Sequence, residues 1–230
     1  MKFAVVVLCV VLVGCGRPAQ SSAPANATAS APAPSPESSQ QNPTRQSPRI
    51  VFLGDSLTAG LGLPIDQSYP SLIDKKLKER GYDLQVVNAG VSGDTSAGGL
   101  RRLEWSLEGD VKVLVVALGA NDGLRGLPPS ELKKNLTAIL DRAKARGIPV
   151  VLAGMEAPPN NGIDYTREFR QVYTDLADDY DVRFVPFLLQ GVAGDASLNQ
   201  GDGIHPNARG AAIVADLVWK ELEPVLPRRN

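Results

Sequence analysis

Residues 111–118 read VKVLVVAL and are followed at 119–123 by GANDG. Seven of the eight residues in the first stretch are apolar. A nearly continuous apolar run that ends at turn-forming residues is typical of a strand covered on both faces, as in the middle of a parallel sheet. We therefore predict that 111–118 is the central strand of a parallel sheet and that 119–123 is the loop at its carboxyl end.

On both sides of this stretch, short β-branched runs alternate with longer amphipathic segments, which is the pattern of βα units. Gly98 and Gly99 weaken one of the helices. The pattern predicts a three-layer α/β/α sandwich with a doubly wound, five-stranded parallel sheet in the flavodoxin-like order. The predicted strands are 50–53, 84–88, 111–118, 149–153 and 182–185, and the predicted helices are 69–80, 95–107, 130–146, 164–180 and 207–226.

The composition of the 230 residues excludes several classes of protein. With 43% hydrophobic and 21% charged residues, the chain is not disordered throughout, and a formal charge of -1 without basic runs argues against nucleic acid binding. The single apolar run, Phe3 to Val13, is shorter than the roughly 20 residues that span a bilayer. His205, Cys9 and Cys15 are the only histidine and cysteines, so we expect no metal and no cofactor.

The first residues have the features of an export signal, because Lys2 precedes the apolar run. Residues 12–15, LVGC, resemble the lipobox of bacterial lipoproteins, in which the cysteine is lipidated and begins the mature chain. An ordinary signal peptide with an incidental cysteine is the alternative. The lipobox also accounts for the lack of cysteine after Cys15 in an exported chain. We predict that 1–14 is a lipoprotein signal peptide and that the protein is exported and anchored to a bacterial membrane through Cys15.

A change of composition marks the start of the folded domain. Residues 16–48 contain seven Pro, seven Ala and seven Ser, and no Leu, Ile, Val, Met, Phe, Trp or Tyr. Such a segment cannot form a core, and we predict that 15–48 is a disordered tether with a reach between roughly 30 Å as a coil and 100 Å when extended. Residues 49–230 are then a single domain, which we expect to act as a monomer.

Four loops of unusual composition follow the predicted strands. They read GDSL at 54–57, GVSGD at 90–94, GANDG at 119–123 and DGIHP at 202–206. In a sheet of this kind these loops meet at one edge, where ligands bind. Together they supply what ester hydrolysis by a serine requires, which is a nucleophile, a base, an acid that orients the base, and donors for the oxyanion. The candidates are Ser56, His205 and Asp202 in the first three roles, with the Ser56 N–H, Gly93 and Asn121 as donors.

Taken singly, each of these loops has a simpler explanation. His205 could begin the last helix with Asn207 as its cap, and Asn-Asp-Gly is a common turn. We expect Asp55 and Asp122 to hold their loops through local hydrogen bonds, and Asp94 to do the same or to cap the following helix. We assign catalysis to none of these three carboxylates.

In their order along the chain, the four loops resemble the four blocks of the SGNH or GDSL hydrolase family, over residues 50–226. Three longer strings, 92–96, 121–126 and 202–207, are similar to the bacterial arylesterase, lysophospholipase and acyl-CoA thioesterase I branch. The resemblance implies a catalytic triad of Ser56, Asp202 and His205. It also implies an oxyanion hole of Ser56, Gly93 and Asn121, and walls at 124–127 and 154–163 that receive the acyl chain, with Leu124, Arg125 and Pro158 as substrate-binding residues.

The predicted function is hydrolysis of carboxylic esters through a covalent acyl-enzyme, with aryl and short-to-medium acyl esters, lysophospholipids and acyl thioesters as candidate substrates. The lipobox and tether argue against acyl-CoA, which is a cytosolic metabolite. Carbohydrate O-deacetylation on the same fold and a catalytically silent surface binding module are the alternatives. An ordinary α/β-hydrolase is disfavoured because Thr58 stands where its Gly-x-Ser-x-Gly turn has the second glycine. A nucleotide-binding module is also disfavoured, because the sequence lacks the glycine spacings of the dinucleotide-binding and P-loop motifs.

Overall fold

Five parallel strands form the sheet of the computed structural model, which describes residues 47–228. Their order across the sheet is β2-β1-β3-β4-β5, so the predicted doubly wound sheet and its flavodoxin-like order are confirmed. The chain reverses direction across the sheet after β2, which places the switch point between β1 and β3. The strands are β1 (Arg49–Gly54), β2 (Gln85–Gly90), β3 (Val111–Ala117), β4 (Val150–Ala153) and β5 (Arg183–Val185).

Strand β3 lies at the centre of the sheet, as the apolar run at 111–118 predicts. Val113, Leu114, Val115 and Val116 are fully buried. The register pairs Gly54 of β1 with Gly90 of β2 on one side and with Ala117 of β3 on the other. The carboxyl ends of the three strands are therefore level, and the loops that follow them start side by side.

Helices cover both faces of the sheet, which gives the three layers. Helices α2 and α8 pack on one face, and α3, α6 and α7 pack on the other. Single 3₁₀ turns lie at Ile65–Gln67, Pro159–Asn161 and Glu223–Val225. The helices are α1 (Ser56–Ala59), α2 (Tyr69–Glu79), α3 (Ser96–Arg101), α4 (Leu103–Ser106), α5 (Ala120–Leu124), α6 (Pro129–Ala145), α7 (Ile163–Tyr180) and α8 (Ala208–Leu222).

Two features of the helices differ from the sequence prediction. The helix expected over 95–107 is divided at Arg102 into α3 and α4, because the backbone leaves helical geometry there (φ -102°, ψ 5°) while the Arg102 side chain turns back toward the sheet. In addition, α1 and α5 are short helices where loops were expected. Each begins within three residues of a strand end, and both carry residues of the candidate site.

Asn207 begins the last helix as its cap, since its side chain accepts hydrogen bonds from the N–H groups of Arg209 and Gly210. The predicted signal peptide, the lipidated Cys15 and nearly all of the tether lie outside the described residues. Between residues 47 and 228, the helices are too short or too polar to cross a membrane.

Candidate active site

A tight strand-to-helix turn holds Ser56 at the carboxyl end of β1. The Asp55 carboxylate caps α1 by accepting a hydrogen bond from the Leu57 N–H (3.0 Å). A Cβ on Gly54 would lie 1.9 Å from Thr58 Oγ1, so only glycine allows this approach of the strand to the helix. Ser56 is the first residue of α1, and the first N–H groups of a helix have no partner within it. Its N–H is therefore available to a ligand.

Hydrogen bonds connect Ser56, His205 and Asp202 in one line. Ser56 Oγ lies 2.9 Å from His205 Nε2, and His205 Nδ1 lies 2.6 Å from Asp202 Oδ2. Because an ionised carboxylate only accepts, Nδ1 of the imidazole carries the proton and Nε2 is left to accept one from Ser56. This is the arrangement in which a serine hydroxyl faces a base.

Hydrogen bonds keep the Asp202 carboxylate ionised well below neutral pH. The backbone N–H of His205, the His205 side chain and the N–H of Ile204 all donate to it, and these hydrogen bonds lower the pKa of Asp202 to about 2. The carboxylate is half-exposed, whereas the imidazole is largely buried. A charged, solvated acceptor thus orients a shielded imidazole.

Gln200 joins the loop of His205 to the loop that follows the nucleophile. Its side-chain amide donates to the carbonyl oxygens of Leu61 (2.7 Å) and Pro206 (3.0 Å), and its backbone N–H donates to the His205 carbonyl (2.8 Å). Sequence reasoning missed this residue, because a glutamine in a polar loop carries no distinguishing signal. Its contacts fix the distance between two loops that are far apart in sequence.

The other two candidate oxyanion residues, Gly93 and Asn121, line the same cavity as Ser56. Asn121 is in α5, and its Nδ2 donates to the Asp94 carbonyl oxygen (2.9 Å) and lies 3.5 Å from Asp55 Oδ2. Gly93 has φ +83°, a backbone conformation that favours glycine. Ser56, Gly93 and Asn121 line the same cavity. The three residues predicted to supply oxyanion donors thus border one cavity.

The three carboxylates that we kept out of catalysis have structural partners. Asp55 caps α1, as expected of a local hydrogen bond. Asp122 instead makes a long-range connection, since it accepts from the backbone N–H and the hydroxyl of Ser96 at the start of α3. The cap of α3 is Thr95 and not Asp94. The Asp94 carboxylate forms an ion pair with Arg102 instead.

Asp55 is 1% exposed, and this burial raises its pKa to about 6, against the lowering effect of the Leu57 hydrogen bond. Since the pKa is higher in the folded state than in the unfolded one, Asp55 costs stability as the pH rises from 4 to above 6. A pKa of about 6 in place of 3.8 lowers the free energy of unfolding above pH 6 by roughly 3 kcal/mol at most.

Asp55→Asn should therefore increase the free energy of unfolding at pH 8 by about 1–3 kcal/mol, because asparagine also caps helices and carries no charge. At pH 4.5 the gain should largely vanish. Urea unfolding of both proteins at the two pH values measures this. If the difference in free energy of unfolding between Asp55→Asn and the native chain does not grow with pH, ionisation of the buried carboxylate does not destabilise the fold.

A mostly apolar cavity of about 420 Å³ opens beside Ser56 and His205. The loop after β4 contributes four consecutive residues, 155–158, of which Glu156 pairs with Arg170 (2.9 Å). No group of three His, Cys, Asp or Glu side chains that could hold a metal ion occurs within 47–228. The other wall residues include Leu57, Ala120, Leu124, Phe187, Leu189, Ala193 and Ile204.

Of the three predicted substrate-binding residues, Leu124 and Pro158 line this cavity. Arg125 does not. Its guanidinium instead donates to the Gly93 carbonyl oxygen (2.8 Å) and so connects α5 with the loop after β2. Arg125 thus contacts Gly93, a candidate oxyanion residue, and does not line the cavity.

Residues 52–213 match the model of the GDSL-like lipase/acylhydrolase family. The chain belongs to this family. The match spans the four loops that carry Ser56, Gly93, Asn121 and His205, so the family resemblance in the sequence is confirmed. This GDSL hydrolase therefore carries the family's motifs at one edge of its sheet.

Curated relatives align with about three quarters of the chain. A Pseudomonas aeruginosa protein named Esterase TesA is 44% identical over 178 residues, which are 77% of this chain and 89% of the relative. An Escherichia coli protein named Thioesterase 1/protease 1/lysophospholipase L1 is 36% identical over 178 residues, 77% of this chain and 84% of the relative.

A solved structure agrees with the fold. The crystal structure of TesA superposes with a TM-score of 0.74 at 43% sequence identity, covering 78% of this chain and all of that one. From the family and these relatives, this GDSL hydrolase is a carboxylic ester hydrolase.

Proposed function

We propose that this GDSL hydrolase cleaves carboxylic esters through a covalent acyl-enzyme on Ser56, with His205 as the base and Asp202 as the residue that orients it. The observation that carries the proposal is the continuous line of hydrogen bonds from Asp202 through His205 to Ser56 Oγ, at the mouth of an apolar cavity. A nucleophile, its base and the orienting acid are the three parts that serine hydrolysis needs.

In the first half of the reaction Ser56 Oγ bonds to the ester carbonyl carbon while His205 Nε2 takes the hydroxyl proton. The carbonyl oxygen gains negative charge, which the N–H groups of Ser56 and Gly93 and the Asn121 amide stabilise. When the C–O bond to the alcohol breaks, the imidazolium returns the proton to the leaving oxygen. Water then repeats the two steps on the acyl-enzyme and releases the acid.

The cavity supports acyl groups longer than acetyl. The cavity of about 420 Å³ is more than ten times the volume of roughly 30 Å³ that a water molecule occupies in the liquid, so it has room for groups longer than acetyl. The walls formed by Leu124, Pro158 and Phe187 are suited to alkyl chains, because burying a methylene contributes about 0.8 kcal/mol. We therefore place the acyl chain here, with Arg125 as a support for Gly93.

Short-to-medium acyl esters, aryl esters and lysophospholipids are the proposed substrates, and acyl thioesters are a secondary group. Lysophospholipase and thioesterase are both in the name of the Escherichia coli relative. Thioesters share the carbonyl chemistry with esters, so the same oxyanion donors would serve them.

A graded panel tests this function on the full chain, with p-nitrophenyl esters from acetyl to palmitoyl, a lysophosphatidylcholine, an acyl-CoA and an acetylated xylan. We expect hydrolysis of the aryl esters with an optimum beyond acetyl, together with release of fatty acid from the lysophospholipid. Turnover confined to the acetylated polysaccharide would indicate a carbohydrate deacetylase instead. No turnover of any substrate would indicate a silent binding module.

We further propose that the enzyme is exported and works as a monomer anchored to a bacterial membrane through a lipid on Cys15. The support is the LVGC string after an apolar run and the Pro/Ala/Ser-rich composition of 16–48. Several acyl chains on one cysteine give stable anchoring, whereas a single chain does not.

Cys15→Ala should move the enzyme from the membrane fraction to the soluble fraction, because the anchor is lost while the catalytic domain is unchanged. Cell fractionation followed by ester hydrolysis in each fraction measures both properties. Cys9→Ala is the matched control, since that cysteine lies within the predicted signal peptide and should leave the enzyme in the membrane fraction. Retention of the Cys15→Ala variant in membranes would contradict the anchor.

A further inference from the structure

The Arg102 guanidinium lies where three parts of the active-site edge meet. Its Nη2 donates to the carbonyl oxygen of Gly54 at the end of β1 (2.7 Å), and its Nη1 donates to the carbonyl oxygen of Ala89 in β2 (2.6 Å). Its Nε donates to the Asp94 carboxylate (2.6 Å). One rigid group thus joins two neighbouring strands to the loop that follows β2.

These contacts lie close to the nucleophile and to the candidate oxyanion donor. Gly54 is two residues before Ser56. Asp94 holds Arg102 through its side chain, and through its carbonyl oxygen it accepts the hydrogen bond from Asn121 Nδ2 (2.9 Å). Arg102 is thereby connected to Asn121 through a single residue.

The local sequence is adapted to this arrangement. The side chains of Arg102 and Asp94 are each only 17% exposed, so the pair is partly shielded from water. A Cβ on Gly98 would lie 2.4 Å from Asp94 Oδ1, which means that glycine is needed at 98 for the carboxylate to lie across α3. The division of the predicted helix occurs at Arg102 itself.

We propose that Arg102 is a positioning residue, which sets the oxyanion hole relative to the nucleophile by holding Asp94, and through it the Asn121 amide, against the end of β1. The inference rests on the proposed role of Asn121. A guanidinium suits the task because its donors are fixed in one plane, whereas a lysine ammonium is a point charge on a flexible stem. Lysine would keep the charge and lose the fixed geometry.

Arg102→Lys should lower kcat for p-nitrophenyl butyrate by roughly 10- to 100-fold with little change in KM, because displacements near 1 Å in an active site have effects of this size. Arg101→Lys is the matched control. Arg101 is the preceding residue and is exposed, so this variant should keep the native kcat. Thermal unfolding of both proteins shows whether they fold alike.

A double-mutant cycle with Asn121→Ala separates positioning from a general structural role. If Arg102 acts through Asn121, Arg102→Lys should lower kcat by less than about 3-fold once the Asn121 amide is gone, because residues that act as a unit are not additive. Equal losses of kcat in the two backgrounds, or no loss in the native background, would overturn the proposal.

Two further outcomes have distinct meanings. If Asn121→Ala alone leaves kcat unchanged, the oxyanion assignment is wrong, and the positioning role of Arg102 is wrong with it.

If Arg102→Lys does not fold, Asp94→Asn replaces it in the same cycle, since this variant weakens the contact with Arg102 and leaves the Asp94 carbonyl in place. We then expect the same non-additive loss, and an additive one would overturn the proposal.

Discussion

Replacing His205 with alanine should lower kcat for an aryl ester by about 10⁴-fold or more, with the fold intact. His205 is the only histidine in the chain, so no other imidazole can take the proton from Ser56. Asp202 cannot substitute, because a carboxylate with a pKa of about 2 is a weak base and because it lies on the Nδ1 side of the ring, away from Ser56. The loss should appear in kcat, since the cavity that binds the acyl chain is unchanged.

A variant of Asp202 provides the companion test for this one. Asp202→Asn should also be strongly impaired, because a neutral amide no longer fixes the Nδ1–H tautomer. An alanine variant with nearly native turnover would rule out the triad.

Asn121→Ala should lower kcat by about 10²- to 10³-fold, equivalent to roughly 3–4 kcal/mol, with little change in KM. The substrate carbonyl is neutral in the ground state and gains charge only as Ser56 adds, so the lost donor matters mainly in the transition state. Steady-state kinetics on one aryl ester measure the split between kcat and KM. A loss mainly in KM would make Asn121 a binding residue.

Asn121→Asp is the sharper variant at the same position. It keeps nearly the same shape and replaces the donor by a carboxylate, which would face both the developing oxyanion and the Asp94 carbonyl oxygen. Turnover should fall below that of the alanine variant, although alanine creates the larger space. If aspartate were tolerated, Asn121 would be a turn residue and would have no part in the oxyanion hole.

The sheet could be predicted because its signal is contained in short stretches of sequence. A buried strand such as β3 must be apolar along its length, and the level ends of β1, β2 and β3 follow from the doubly wound arrangement. The candidate site could be located because its loops lie at those ends. The family resemblance was carried by the same loops, so both arguments point to the same residues.

The features that sequence reasoning missed depend on contacts between distant residues. Gln200 and Arg102 have no local signal, because what distinguishes them is the set of carbonyl oxygens that they reach in the fold. The periodicity of 95–107 continues through Arg102, so nothing in the sequence marks the division between α3 and α4. Likewise, α1 and α5 are too short for a periodic pattern to show.

The most direct test of the account is to identify the nucleophile by trapping it covalently. A p-nitrophenyl alkylphosphonate should form one stable adduct, in which Ser56 Oγ bonds to phosphorus and p-nitrophenolate leaves. Peptide mapping by mass spectrometry of the inactivated full chain should place this adduct on Ser56, with loss of activity in proportion to labelling. Inactivation with the label on another residue, or unchanged activity after complete labelling of Ser56, would contradict the covalent mechanism proposed for this enzyme.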